Sequence, residues 1–198
     1  ELQEVRLENH ANAFDAYARA LAEDSADEMS LGHLERLADA IGGWAKLAEI
    51  YDREGEKTLD VPLQVNLYSR LARVYQEELS QYDDAIATYR KIMEVEFDNR
   101  FAINSLADLL RALERWEELT QVVRKQVQLA ESDDEIIALQ FSLAQTLEQN
   151  LRDIPAALEV YEAALKRARR VMPADALTVL DLEYEVGGAL EKVGEMER

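Results

Sequence analysis

The stretch LYSRLARVYQEELSQYDDAIATY at residues 67–89 decides the fold, because a second version of it follows without a gap. Sliding the sequence by 72 residues sets it against LQFSLAQTLEQNLRDIPAALEVY at residues 139–161. The two tryptophans, Trp44 and Trp116, obey the same spacing. Self-similarity at a fixed long period indicates a repeat array. The matched apolar positions are Leu67, Leu71, Ala72, Leu79, Ala85 and Tyr89, set against Leu139, Leu143, Ala144, Leu151, Ala157 and Tyr161.

Each 72-residue period contains four amphipathic segments, since apolar residues recur at spacings of three and four. With only 7 Gly and 3 Pro in 198 residues, the chain has few of the breakers that a strand-and-turn fold needs. We therefore predict an all-helical chain. The predicted helices lie near residues 3–23, 26–41, 43–56, 62–80, 82–96, 99–113, 115–131, 134–151, 153–171 and 174–194.

Short polar residues and glycines mark the predicted helix ends. Side chains of this kind cap the free N–H groups of a first turn, while glycine adopts the left-handed conformation that often ends a helix. Proline is tolerated in a first turn, where the missing N–H has no partner anyway. The predicted caps are Asp24-Ser25, Asp98, Ser132-Asp133 and Asp153; the predicted stops are Gly42-Gly43, Gly55 and Gly194; and the predicted first-turn prolines are Pro155 and Pro173.

Each period divides into two helical hairpins of roughly 34 residues with short insertions, and the residues of each hairpin carry a recognisable pattern. A large residue followed by a small one recurs on the first helix, a bulky residue opens the second helix, and a buried pair follows it. The large-small pairs are Leu71-Ala72, Leu106-Ala107, Leu143-Ala144 and Val186-Gly187; the opening residues are Trp44, Tyr82, Trp116 and Ile154; and the buried pairs are Leu47 and Tyr51, Ala85 and Tyr89, Leu119 and Val123, and Ala157 and Tyr161.

This combination resembles the tetratricopeptide repeat family, in the form of a bacterial-style tandem array. The resemblance implies a right-handed α-α superhelix of about five hairpins, forming one domain over residues 1–198. Both ends cut a hairpin and no initiating Met is present, so we expect a fragment of a longer protein. The predicted hairpins are 26–58, 62–97, 99–131 and 134–171, with partial repeats at 1–23 and 174–198. Departures from the family pattern are Phe97, where proline is usual between hairpins, and Glu35, in a small-residue position.

Charge and composition narrow the range of partners. Asp and Glu number 41 against 22 Lys and Arg, a formal net charge of −19. Because such a chain repels polyanions, nucleic acid is not an expected partner. No apolar run approaches the roughly 20 residues of a membrane span, so direct membrane insertion is not expected either. Cysteine is absent from the sequence, which excludes disulfides and thiolate chemistry and leaves the compartment open.

Residues that could carry catalysis or bind a metal are scarce. His10 and His33, the only histidines, are 23 residues apart on different predicted helices. No phosphate-binding glycine loop or nucleophile motif occurs. Acidic residues are so abundant that a close carboxylate pair has little evidential value for hydrolysis. We therefore expect no catalytic residues, no metal and no cofactor. Trp44 and Trp116 are expected to pack at the junction between the two helices of their hairpins rather than to stack on a ligand.

By the same resemblance, the first helices of the hairpins line a concave groove, and the positions two and five residues on either side of the packing leucine face it. Phe101 and Phe141 occupy such positions, and a groove-facing aromatic is either a partner anchor or a cover for a neighbouring helix. Both alternatives stay open here. The family's clamp for a C-terminal carboxylate is incomplete, since Asp108 would repel one. The predicted partner-binding residues are Asn66, Ser69, Arg73, Gln76, Phe101, Asn104, Asp108, Arg111, Phe141, Gln145 and Glu148.

The resemblance implies a non-catalytic scaffold that binds a protein or peptide partner in this groove. Two alternatives remain. Apolar faces on the first and last predicted helices, 3–23 and 174–194, would stack end to end in a homo-oligomer. Alternatively, the chain is a regulatory arm of a larger enzyme or transcription regulator, since fold alone does not decide function.

Overall fold

The computed structural model describes residues 2–196, with side chains from residue 9 onward, and every regular element in that range is a helix. Ten α-helices and two π-helical turns make up this part of the chain. The prediction of an all-α chain of helical hairpins is confirmed. The helices are α1 (Leu2–Glu23), α2 (Glu28–Ile41), α3 (Trp44–Lys57), α4 (Val61–Arg73), α5 (Tyr82–Val95), α6 (Arg100–Ala112), α7 (Trp116–Leu129), α8 (Asp133–Gln145), α9 (Ile154–Val171) and α10 (Leu177–Met196), and the π turns are Val74–Glu78 and Thr146–Asn150.

Some helix ends agree with the predicted signals. Ser132 caps α8 by accepting a hydrogen bond from the backbone N–H of Glu135, and Asp153 caps α9 through the N–H of Ala156. Gly42 ends α2 in the left-handed conformation, with φ of 66°. Pro155 lies in the first turn of α9, as predicted.

Other predicted ends are wrong. Asp27, and not Asp24-Ser25, caps α2 through the N–H of Met29, because the intervening residues form a turn. For α6 the cap is Asn99, whose side chain accepts from the N–H of Ala102, rather than Asp98.

The remaining errors concern glycine and proline. Gly55 and Gly194 lie inside helices, Gly55 within Trp44–Lys57 and Gly194 within Leu177–Met196. Pro173 lies before α10, in a turn that is closed by a hydrogen bond from the N–H of Ala176 to the carbonyl of Pro173. Composition alone does not show whether a glycine stands inside a helix or after it.

The described chain forms two compact units, divided between Ala102 and Ile103. In the first unit, consecutive helices pack on one another from α1 to α5. The small residues of the repeat allow this close packing, since Ala38, Ala72 and Ala85 are fully buried. The main core side chains of this unit are Phe14, Leu21, Leu34, Leu47, Tyr51, Leu67, Leu71, Ile86 and Ile92.

The second unit repeats this arrangement. Helix α7 packs on α8, α8 on α9, and α9 on α10. Leu143 and Ala144 are buried like the earlier large-small pairs, but Val186-Gly187 is not, because α10 turns Leu182 and Ala189 inward instead. Burying one apolar stripe per helix is worth about 25 cal/mol per Å² of apolar surface, which makes this stacking the main stabilising term. The core of the second unit contains Leu106, Leu110, Leu119, Leu143, Leu147, Tyr161, Leu165, Val179 and Leu182.

The 72-residue period extends to the backbone of the hairpin turns. Gly42 and Glu114 both have positive φ, 66° and 56°, and both follow the first helix of a hairpin. Ser80 and Arg152 also have positive φ, 54° and 57°, and each follows one of the π turns. Two kinds of turn therefore alternate along the chain.

The tryptophans take equivalent places in this scheme. Trp44 is the first residue of α3 and Trp116 the first residue of α7, and both are half-buried. They lie where the second helix of a hairpin begins, directly after a left-handed turn. Their positions agree with a packing role at the junction of the two helices.

Candidate protein-binding surface

An ion-pair cluster joins the first helices of two successive hairpins in the first unit. The guanidinium of Arg70, on α4, donates to Glu28 at 2.7 Å and to Glu35 at 2.9 Å, both on α2. The predicted site residue Arg73 lies 3.0 Å from Glu35. The predicted residue Asn66 donates to Glu28 at 3.1 Å and accepts from Arg70 at 2.8 Å. This face is therefore polar and internally paired.

Glu35 is the centre of the cluster because it also reaches the core. The hydroxyl of Tyr51, which is fully buried on α3, donates to Glu35 at 3.1 Å. Burial raises the pKa of Tyr51, and the negative charge of Glu35 raises it further, so the phenol remains a donor. A carboxylate in the small-residue position is tolerated because three donors satisfy it.

Two further predicted residues of the first unit are held by neighbouring groups. The hydroxyl of Ser69 donates to the carbonyl of Val65 at 2.6 Å, within its own helix. Gln76 lies in the first π turn and accepts from the hydroxyl of Tyr89 at 3.1 Å. Neither side chain is fully exposed. The structure thus gives these two residues a local structural contact.

Phe101 differs from the other predicted residues of this unit, because most of its side chain is open to solvent. It is 56% exposed at the start of α6, and its ring meets the ring of Tyr89 edge-on, with centroids 6.4 Å apart. Phe97, four residues earlier, is 66% exposed. Tyr89 is itself held by a hydrogen bond from its hydroxyl to Gln76. The buried side of the Phe101 ring therefore packs on a residue that is already fixed.

In the second unit, the predicted residues on α6 are exposed. Asn104 accepts a hydrogen bond from the side chain of Gln126 at 2.8 Å. Asp108 and Arg111 form an ion pair at 2.8 Å along the same helix. Such exposed pairs contribute little to stability, so these side chains can exchange this partner for another at small cost.

The predicted residues on and after α8 are less accessible. Phe141 is half-buried and meets the ring of the buried Tyr161 edge-on, at 5.8 Å. Gln145 is also half-buried. Glu148 is only 8% exposed, accepting from Tyr161 at 3.1 Å and from Lys192 at 2.6 Å. The assignment of Glu148 as an open groove residue is wrong, because the second π turn carries its carboxylate inward to these donors.

Sequence reasoning missed Arg70, Glu28 and Phe97. Arg70 is one residue from the predicted groove position Ser69 on α4, and the offsets taken from the family do not include it. One signal was present: a carboxylate at position 35, in a small-residue slot, requires a buried cation or hydroxyl nearby. Phe97 carried a signal too, since it replaces the proline that is usual at that point.

The described residues show no sign of a metal site or a membrane helix. No group of three or more His, Cys, Asp or Glu between residues 2 and 196 is placed to hold a metal ion. None of the helices in that range is long and apolar enough to cross a membrane. His33 stacks on Tyr17 at 4.5 Å, a contact that joins α2 to α1.

Residues 67–101 match the model of a tetratricopeptide repeat. This match includes the second half of α4, the first π turn, α5 and the start of α6, ending at Phe101. Residues 67–101 are thus similar to a tetratricopeptide repeat, and the resemblance drawn from the sequence is confirmed. Proteins of this family generally mediate protein–protein interactions as non-catalytic scaffolds. No curated protein matches the chain in sequence.

Solved structures share the fold over nearly the whole chain. The nearly identical TPR-like repeats of a candidate kinesin light chain from Podosopora anserina are 14% identical, with 97% of this chain and 89% of that chain covered and a TM-score of 0.51. A point variant of that protein gives 14% identity, 97% and 88% coverage and a TM-score of 0.50. BtubC (BKLC) from P. vanneervenii is 15% identical over 100% of this chain and 86% of its own, with a TM-score of 0.46. At these identities the likeness concerns the fold alone.

Proposed function

We propose that the chain is a non-catalytic scaffold that binds a peptide or protein segment on the first helices of its hairpins, with Phe101 as the main anchor. The observation that carries this proposal is the exposure of Phe101 on a predicted binding position, next in space to a fixed tyrosine. Large aromatic side chains are enriched among the residues that dominate binding energy. Phe97 adds a second exposed aromatic four residues away.

Preorganisation supports Phe101 as an anchor. Association costs free energy for every side chain that must be immobilised. The ring of Phe101 already rests against Tyr89, whose hydroxyl is held by Gln76. Less rotamer freedom is then lost on binding than for a ring that projects freely into solvent.

Polar residues predicted in each of the two units favour a partner of mixed charge. Arg73 is half exposed and pairs with Glu35, and its guanidinium has further N–H groups that can donate to a partner. Asp108 and Arg111 offer one charge of each sign on α6. A segment with an apolar side chain flanked by both charge types fits this set better than a purely acidic tail.

The test uses peptides selected by display against the immobilised protein. A peptide chosen on the wild-type chain should lose at least about tenfold in affinity for Phe101→Ala, since anchors of this kind contribute 2 kcal/mol or more. The matched control is Leu59→Ala, because Leu59 is 96% exposed in the loop before α4. Thermal unfolding of both variants should remain close to that of the wild type. Equal affinity of the selected peptides for Phe101→Ala would refute the proposal.

A second candidate function, self-association, is supported by α10. Leu177, Leu180 and Tyr184 are 78%, 48% and 80% exposed, and their spacing places them on one side of the helix. On α1, from residue 9 onward, no large apolar side chain is exposed to this degree. Pairing of α10 with a second α10 is therefore better supported than end-to-end stacking of α1 on α10.

Sedimentation velocity over a range of protein concentrations separates the two candidates. Self-association through α10 predicts a concentration-dependent dimer in the wild type that Tyr184→Glu abolishes. The matched control, Met29→Glu, changes an apolar residue on α2 that is 70% exposed and should leave the dimer unchanged. A monomer at every concentration would exclude this function and leave the peptide-binding role untouched.

A further inference from the structure

The second unit contains an open cleft, lined by α7, α8 and α9, that none of the functions above uses. Its volume is about 350 Å³, within the range of pockets that hold small ligands. Val127, Val160 and Ala163 form apolar walls, and Arg124 and Glu159 lie at the rim. The walls come from second helices of hairpins, whereas the predicted binding residues lie on first helices.

The repeat provides a direct comparison, because the first unit has the equivalent position 72 residues earlier. There the side chain of Lys91, on α5, crosses between the helices. Its ammonium lies 2.7 Å from Asp52 and 3.5 Å from Glu56, and 5.4 Å from the ring centroid of Tyr68. In the first unit, the aliphatic part of Lys91 and the ring of Tyr68 thus occupy the space that is open in the second unit.

Three replacements shape the cleft in the second unit. Ala163 stands where the first unit has Lys91, which removes the side chain that crosses between the helices. Gln140 replaces the buried Tyr68, and Val127 replaces Gly55. These two smaller side chains fill only part of the space that the ring of Tyr68 takes in the first unit. What remains is shaped to receive a side chain from outside.

One polar group of the cleft has no partner of its own. The side-chain oxygen of Gln140 is buried, and no donor in the described part of the chain reaches it. A buried acceptor left unpaired costs about 1–3 kcal/mol. Gln140 also lines the cleft, and its terminal amide rotates about a broad two-fold torsion, so the oxygen can turn to meet a donor that enters.

The charges of the cleft disfavour a cationic guest. In the first unit two carboxylates hold the ammonium of Lys91, but Arg124 and Gln128 take the places of Asp52 and Glu56 in the second unit. At these two positions a lysine would meet a guanidinium and an amide, and Glu159 at the rim only balances the charge of Arg124. An uncharged donor avoids that repulsion, and an aromatic ring next to Arg124 gains a cation–π contact.

We propose that the α7–α9 cleft binds a tyrosine side chain of a partner protein, with the ring between Val127 and Val160 and the hydroxyl donating to Gln140. A phenol combines an apolar body with a neutral donor, as the cleft requires. Apart from Gln140 and Leu143 on α8, this site lies on second helices of hairpins, whereas Phe101, the anchor of the proposed peptide-binding function, lies on α6. It makes the chain a scaffold with two separate contact surfaces.

The experiment is an NMR titration of the ¹⁵N-labelled chain with N-acetyltyrosinamide, and N-acetylphenylalaninamide is the probe that lacks the donor. Expected are shifts of the Gln140 side-chain amide and of the Val127 and Ala163 backbone amides. The equivalent amides of Gly55 and Lys91 should stay unmoved in the same spectrum. The phenylalanine probe should bind about three- to tenfold more weakly, the value of one neutral hydrogen bond.

Variants test the same site. Ala163→Leu should block the shifts by filling the cleft, whereas Glu162→Leu, a change at the neighbouring exposed position, should not. Gln140→Leu should remove the preference for the tyrosine probe without blocking binding of either probe. Phe101→Ala should leave the titration unchanged, so this proposal and the proposed function fail separately. No shift up to the solubility limit, or equal binding of the two probes to the wild type, would overturn the proposal.

Discussion

Tyr51 and Tyr161 are fully buried phenols, and each donates to a carboxylate of its own hairpin, on the first helix or in the π turn that continues it. The acceptors are Glu35 and Glu148, both at 3.1 Å. Burial raises the pKa of both tyrosines, and the neighbouring carboxylates raise it further. Each phenol is therefore protonated at neutral pH and ties the second helix of a hairpin to the first.

Removing one of these hydroxyls should cost stability. Tyr161→Phe keeps the ring in the core but leaves the nearly buried Glu148 with Lys192 as its remaining partner. Hydrogen bonds to charged groups contribute about 1.5–3 kcal/mol, so the free energy of unfolding should fall by about 2 kcal/mol. Urea unfolding measures this change. Tyr184→Phe, at an 80% exposed position on α10, is the matched control and should change the value little.

Glu54 is the most buried charged side chain of the described residues, at 1% exposure. Arg53 donates to it at 2.8 Å and Lys57 at 3.0 Å. Burial alone would raise the pKa of Glu54, but these two hydrogen bonds and charges outweigh it and hold the pKa below its ordinary value. The folded state thus prefers the ionised carboxylate.

This depressed pKa predicts a specific acid dependence. A carboxyl group with a lower pKa in the folded state contributes stability above its ordinary value near 4.5, and that stability is lost as the pH falls through the folded-state pKa. Glu54→Gln should therefore lower the unfolding temperature at pH 7 and have a much smaller effect well below pH 4. Calorimetry at both pH values measures the difference. An equal loss at both values would show that the ionised form is not the stabilising one.

At the scale of helices, Gly55 and Tyr68 show how α3 and α4 approach each other. A Cβ added at Gly55 would lie 2.7 Å from a ring carbon of Tyr68, so the tyrosine packs directly on the backbone of α3. In the second unit Val127 replaces the glycine and Gln140 replaces the tyrosine. The side chain is therefore larger on the one helix and smaller on the other. The glycine is thus a packing residue and does not end a helix.

Gly55→Ala should destabilise the protein, although alanine is the better helix former. Overpacking a core position typically costs about 1–3 kcal/mol, more than the 0.5–1 kcal/mol that alanine gains in a helix. Gly187→Ala on α10 is the matched control, since its added Cβ meets nothing within 4 Å, and it should be stabilising. Thermal unfolding of the two variants should shift in opposite directions. Shifts of the same sign would contradict the packing role of Tyr68.

The alternating turns predict another stability change. Glu114 has φ of 56°, a region that costs a residue with a side chain roughly 1 kcal/mol, whereas the equivalent residue in the earlier period is Gly42. Glu114→Gly should raise the free energy of unfolding by up to about 1 kcal/mol, and Gly42→Ala should lower it by a similar amount. Chemical denaturation of both variants, compared with the wild type, tests whether the two turns are equivalent.

The sequence predicted the number and order of helices well because apolar spacing reports burial directly. It predicted Leu71-Ala72 and Tyr161 as core residues for the same reason. It could not predict the π turns, whose extra residue leaves no mark on the apolar pattern, or that Glu148 in the second of them is buried. It also missed Arg70, because ion pairs between helices depend on side chains that are far apart in sequence.

For the whole molecule, the net charge of −19 is the dominant long-range term. Repulsion among like charges disfavours the compact state, and salt screens it, since the Debye length falls from about 30 Å at 0.01 M to about 8 Å at 0.15 M. The exposed ion pairs that salt weakens contribute little each. The unfolding temperature should therefore rise with NaCl over this range. KCl, the control salt, should have the same effect as NaCl. A fall in the unfolding temperature with added salt would show that the ion pairs outweigh the repulsion.

The two kinds of hairpin turn, one directly after an α-helix and one after a π turn, imply how such a chain can be lengthened. A single extra hairpin would set two turns of the same kind side by side and break the alternation. A tandem copy of 72 residues, joined at equivalent positions, would preserve it. Anyone who extends or shortens this protein should therefore add or delete hairpins in pairs.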